Sequence, residues 1–176
     1  MDNKIILKKN LIDVCKILDN HKITPILLGG TLLGLLRDKN FIDGDLDIDL
    51  GVIVKEGIDL TIWYKVFKNL ENAEFTIRRA SSRGVITFDR GYGCDIWWIN
   101  KKWDQNKMLY YGVYAWNGEF RYPAENFDNL DTLVWEGKKY NIPYNPELHL
   151  QCEYGDWKTP NPNFKQPHDS PCFKIL

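Results

Sequence analysis

Four aspartates, Asp43, Asp45, Asp47 and Asp49, occupy every second position of the stretch that ends "DGDLDIDLGV". Extended backbone sends alternate side chains to opposite faces and rises about 3.3 Å per residue. Asp45, Asp47 and Asp49 would therefore share a face, neighbours about 6.6 Å apart, with Leu46, Ile48 and Leu50 turned towards a core. Two like charges 4 Å apart repel by ~1 kcal/mol in water and ~4 kcal/mol at an effective dielectric of 20. The repulsion is smaller at the wider spacing, but every neighbouring pair incurs it, and Asp is a poor strand former. A divalent cation is the simplest compensation, because Mg2+ or Mn2+ takes hard carboxylate oxygens. Acids that guard a solvated edge strand are the bland alternative, although Lys is the commoner guard. An EF-hand would place Asp45, Asp47 and Asp49 at positions 1, 3 and 5 and Glu56 at position 12. Its position 6 needs Gly, and here it is Leu50, inside an apolar run.

Upstream, "GGT" (Gly29, Gly30, Thr31) stands between a short apolar run and a helical pattern. Glycines allow close backbone approach, and a helix N-terminus offers free N–H groups to phosphate. Thr31 is a candidate N-cap or phosphate contact. Alone this is an ordinary strand-to-helix turn. Beside a carboxylate strand it becomes half of a site for moving a phosphate-linked group. Arg37 and Lys39 are cationic candidates for the same phosphates, Lys39 the weaker. Asp95, in "GCDIWWI", is flanked by apolar residues and costly to bury alone. If its strand adjoins the 45–50 strand, Asp95 completes the metal set or takes the proton of an attacking hydroxyl. Of Trp97 and Trp98, only one can face the same side as Asp95.

The elements that must position these groups follow from periodicity. Residues 4–20 read as an amphipathic helix, 26–28 as a short buried strand, 31–40 as a helix and 45–54 as a strand entering a core. A second amphipathic helix spans Ile58 to Leu70, followed by strands at 74–79, 84–89 and 93–99. Asn117-Gly118 and Glu136-Gly137 mark two hairpins. Asn145-Pro146 opens a short helix, with an N-cap and Pro at its first position. Residues 1–158 are expected to form one domain, and the proline-rich 159–176 an extended or partly disordered tail.

Bulk properties exclude several classes. The 176 residues suit one domain, and 44% apolar with 27% charged residues is ordinary for a globular chain. A net charge of −1 gives no electrostatic case for nucleic acid or an anionic membrane. No apolar run approaches the ~20 residues of a membrane span, and the N-terminus lacks a signal-peptide core. The four cysteines form no CxxC pair and are expected to be reduced thiols. A cytoplasmic location is the expectation. His21, His149 and His168 are scattered, and His149 is expected to be structural.

Taken together, the Gly-Gly-Thr turn, the carboxylate pair on the next strand and a third carboxylate on a later strand resemble the nucleotidyltransferase fold of the DNA polymerase β type. More narrowly, "GGTLLGLLRDKNFIDGDLDIDLGV", "CDIWW" and "YGDWKTP" resemble motifs of the LicD family, which includes fukutin and fukutin-related protein. The resemblance spans roughly residues 20–160. It implies an α+β fold: a mixed sheet flanked by helices, with additional antiparallel hairpins. It also implies a Mg2+-dependent (or Mn2+-dependent) transferase that moves a phospho-alcohol group, such as phosphocholine or ribitol phosphate, from a CDP-linked donor to a glycan or other hydroxyl acceptor. Asp47 and Asp49 would be the main metal ligands, with Asp45 and Asp95 additional. Gly29, Gly30, Thr31 and Arg37 would hold the donor, and Trp157 would pack. The alternatives are a minimal nucleotidyltransferase that moves NMP from an NTP, and a silent nucleotide- or sugar-binding module.

Overall fold

Leu7, Leu11, Val14 and Leu18 recur every three to four residues and are fully buried, which makes Asn3–Asn20 an amphipathic helix, α1. A two-residue strand β1 (Ile26–Leu27), helix α2 (Gly29–Arg37) and strand β2 (Asp47–Val54) follow. In helix α3 (Leu60–Asn72) the Asp59 carboxylate caps the first turn by accepting the Thr61 and Ile62 amides. The remaining elements are β3 (Thr76–Ala80), β4 (Val85–Asp89), β5 (Gly93–Trp103), β6 (Leu109–Ala115), β7 (Gly118–Pro123), α4 (Glu125–Asp128), β8 (Leu130–Trp135), β9 (Lys138–Pro143), α5 (Pro146–Tyr154) and β10 (Phe173–Ile175). This computed structural model describes residues 3–54, 59–81, 84–106, 109–115 and 117–175. Ile58, the expected start of the second helix, and Glu56 of the EF-hand alternative lie outside the described residues.

The strands form one mixed sheet in the order β10-β7-β6-β5-β2-β1-β9-β8, and the β3–β4 hairpin also pairs with β5. The β2–β5 pair is parallel and fixes the register that matters: Asp47 lies opposite Gly93, and Asp49 opposite Asp95. Strand β5 is longer than expected because, on the side away from β2, it serves two partners in succession. Its first half pairs with β4 and its second half with β6. Ile48, Leu50, Cys94, Ile96 and Trp98 pack with α1 and α3 in one core, where Trp98 meets Trp63 edge-on at 4.6 Å. Ile26, Leu28, Ile99, Val113, Phe120 and Tyr122 form a second core. Each fully buried aliphatic side chain contributes ~1.5–3 kcal/mol.

The sequence signals for turns produce the turns. Glu136 and Gly137 both adopt positive φ, 47° and 74°, between Trp135 and Lys138, as a two-residue hairpin requires. Asn145 caps α5 and Pro146 occupies its first turn. Two expectations change. Leu46 is 60% exposed rather than core-facing, because β2 begins two residues later than expected, at Asp47. The proline-rich end is mostly a succession of turns and is tied down: β10 pairs with β7, Cys172 is buried, and the Cys172 N–H donates to the Cys152 carbonyl at 3.0 Å. Among the described residues, no helix is long and apolar enough to cross a membrane.

Candidate active site

Strand β1 hands the chain directly to α2, and the corner is built against β2. Gly29 has φ +52°, and a Cβ there would lie 2.5 Å from Asp49 Oδ2. A side chain is therefore excluded twice over, by backbone conformation and by space. The Gly30 N–H donates to Asp49 Oδ2 at 3.1 Å, and Trp97 Nε1 donates to Asp49 Oδ1 at 3.1 Å. Thr31, expected as a cap or a phosphate contact, does neither. It is fully buried inside α2, its hydroxyl accepts the Asp49 N–H at 2.9 Å, and Leu28 stands at the N-cap. Thr31 thus pins the helix to the acid-bearing strand.

Asp45, Asp47, Asp49 and Asp95 come together on one cleft of about 850 Å³, with Gly30, Trp97 and Tyr114 also in its lining. Asp45 reaches it from the turn before β2 rather than from the strand. Asp43 also borders it, paired with Lys4. Burial, then repulsion from Asp47, pushes the Asp45 carboxyl up to about 6. Asp49 is held well above the usual carboxylate range by burial first and Asp47 second, with the Trp97 hydrogen bond opposing. Asp95 is also raised, chiefly by burial, while a Thr87 hydrogen bond and Arg79 pull it down. Its Oδ1 is buried without a hydrogen-bond partner.

Arg37 does not join the cleft; its Nε and Nη2 bind the Asp38 carboxylate at 2.8 and 2.9 Å. Among the described residues, the cation that lines the cleft is Arg79 on β3. Sequence reading missed it because "IRRA" looks like any polar edge strand until β4 brings it beside β5. Trp97 faces the acids and Trp98 faces the opposite core, as strand alternation requires. A larger hollow of about 970 Å³ lies at the far end of β2, but the two acids among its described lining residues are committed elsewhere: Asp59 caps α3, and Asp128 binds Lys101 and Tyr111.

Among the described residues, no three or more His, Cys, Asp or Glu side chains form a ready-made metal cage. The donor set nevertheless suits a hard divalent cation in kind. It consists of carboxylate oxygens, crowded enough to raise one another's proton affinity, with the unpartnered Asp95 Oδ1 among them.

Comparison with solved structures places the fold. The lincosamide antibiotic adenylyltransferase LnuA, in its lincomycin-bound crystal structure, superposes with a TM-score of 0.54 at 17% identity, covering 82% of this chain and 85% of its own. The antibiotic-resistance factor ANT(2'')-Ia, in solution, gives 0.53 at 14% identity, covering 96% and 80%. At such identities the likeness is one of fold: a mixed α+β nucleotidyltransferase architecture. No curated protein matches the sequence significantly. The family model described as LicD/FKTN/FKRP, nucleotidyltransferase domain, matches residues 22–145, which contain the corner, all four clustered aspartates and both of the central parallel strands. The chain belongs to the LicD/FKTN/FKRP family of nucleotidyltransferase domains.

Proposed function

We propose that the chain is a nucleotidyltransferase that moves a nucleoside monophosphate from a nucleoside triphosphate to a hydroxyl acceptor. The observation that carries this reading is the β2–β5 register. It sets Asp49 beside Asp95 on the face that meets the N-terminus of α2. Asp47 and Asp49, with Asp45 and Asp95 as further donors, would hold Mg2+ or Mn2+. When bound, the ion supplies charge neutralisation on phosphate oxygens. Asp95 is the group to take the acceptor's proton, since burial raises its proton affinity above that of an ordinary carboxylate and its Oδ1 has no hydrogen-bond partner. The new bond joins the acceptor oxygen to the α-phosphorus; the bond from that phosphorus to the bridging oxygen breaks, and pyrophosphate leaves. Arg79, in the lining of the cleft, is the cation that would meet the phosphate chain.

Family membership favours a second reading with the same residues. The acceptor oxygen would bond to the phosphorus that carries an alcohol such as choline or ribitol in a CDP-linked donor, and CMP would leave. Incubation with NTPs, CDP-choline and CDP-ribitol in Mg2+, followed by mass spectrometry of the acceptor, separates the two. A gain of NMP with pyrophosphate release supports the first reading. A gain of phospho-alcohol with CMP release supports the second. Nucleotide binding without any product overturns both and leaves a binding module.

A further inference from the structure

The family match ends at residue 145, but the cleft does not. Tyr154, closing α5, and Gln166, in the C-terminal segment, both line it. Gln166 also borders a small cavity of about 50 Å³ beside Asp49 and Trp97. Its anchor is a buried carboxylate. Glu153 is 3% exposed. Gln166 Nε2 donates to Glu153 Oε1 at 2.8 Å, and the Tyr122 hydroxyl donates to Oε2 at 3.2 Å. The ring of His149, fully buried, stacks on Tyr122 at 4.5 Å, and its Nε2 lies 3.5 Å from Glu153 Oε2. The backbone holds the same segment, with the Arg121 N–H donating to the Cys172 carbonyl at 2.9 Å.

This arrangement fixes which end of the amide is free. A carboxylate only accepts hydrogen bonds, so the amide turns its NH2 end to Glu153, which takes one of its two N–H donors, and the other end of the amide offers the carbonyl oxygen. We propose that Gln166 is a specificity-determining residue of the transfer reaction, its carbonyl oxygen reading a hydroxyl group of the substrate. Beside four aspartates an acceptor-only oxygen repels phosphate and attracts an O–H donor. That hydroxyl belongs either to the sugar of the nucleotide donor or to the acceptor alcohol; the chemistry is the same, and the kinetics tell them apart.

The kinetic part of this inference rests on the proposed transfer reaction, so the test keeps the two separable. With whichever donor the wild type turns over, Gln166→Ala raises the KM of one substrate about tenfold, the effect of one lost hydrogen bond, and leaves kcat within about twofold. A rise confined to the donor KM assigns the nucleotide sugar; one confined to the acceptor KM assigns the alcohol. Gln166→Glu sets a second carboxylate against Glu153 and performs no better than Gln166→Ala. Unchanged KM values for both substrates overturn the proposal. So does an equal rise in both accompanied by a lowered Tm, which marks a purely structural tail. If the wild type turns over no donor, the transfer reading fails alone. Calorimetric titration of wild type and Gln166→Ala with CMP, which carries the nucleotide sugar, and with free ribitol as an alcohol probe then decides, and equal affinities for both probes overturn the role of Gln166.

Discussion

Two acidic clusters occupy the same sheet and are balanced in opposite ways. On β7, Glu119 is 1% exposed, yet Lys102, Arg121 and the Tyr110 hydroxyl all reach its carboxylate. Burial pushes Glu119 upward, but Lys102, Tyr110 and Arg121 together outweigh it and hold the carboxyl below its ordinary range. In the cleft, Asp45, Asp49 and Asp95 are all raised, and Arg79 is the one cationic side chain among the described lining residues. A buried acid that serves the fold carries its counter-charge on neighbouring strands. The cleft acids, proposed here to serve a ligand, have little counter-charge among the described residues around them.

Asp47→Asn should lower transfer by at least ~10³-fold, as loss of a group that stabilises developing charge does, while the far-UV circular dichroism stays native. Added Mg2+ should next separate the clusters. At about 100 times its Kd it should stabilise the wild type by ~2.7 kcal/mol, seen as a raised Tm, and should do much less for Asp47→Asn. Glu119→Gln should behave in reverse. It leaves Lys102 and Arg121 without their anion and costs ~2 kcal/mol in a urea titration, below the value for a fully buried pair because both cations are partly exposed. Transfer should remain within about threefold of wild type. If Glu119→Gln abolished transfer, or Asp47→Asn spared it, the two clusters would not differ in kind.

Much of the cleft is legible in the sequence because it is local. Four alternating aspartates, a Gly-Gly corner and two hairpin dipeptides each state their geometry within a few residues. Asp95 is legible only conditionally, since its value depends on β5 pairing in parallel with β2, a contact between residues 46 apart in sequence that no local pattern encodes. Thr31 shows the limit of capping rules. The helix starts two residues earlier because Gly29 accepts φ +52°, which moves Thr31 from the cap into the interior. Arg79, Glu153 and Gln166 carry no local mark at all. Each gains its place from packing across the sheet, and Gln166 sits in a stretch whose prolines suggest a loose tail. Arg37 errs the other way: its chain position suits phosphate, but Asp38 next to it captures the guanidinium.

The smallest expected effect probes the acids without any ligand. Asp45 has its carboxyl raised from 3.8 to about 6 in the folded chain. The folded state therefore binds this proton more tightly than the unfolded state. Its charge costs stability above pH 6, and that cost is relieved as pH falls towards 3.8. The shift of about two units would amount to ~3 kcal/mol if fully felt, and partial exposure to solvent reduces this to ~1 kcal/mol. Glu119, Asp38 and Asp128 have lowered values, so their contributions are kept at neutral pH and lost only in the acid range, below that window. In EDTA, the Tm of the wild type should therefore rise between pH 7 and pH 5 and fall again below about pH 4. Asp45→Asn should flatten the rise and be the more stable protein at pH 7, because it removes a charge that Asp47 repels. A wild-type Tm that drops steadily from pH 7, with Asp45→Asn tracking it in parallel, would mean that the cleft acids are as well compensated as Glu119.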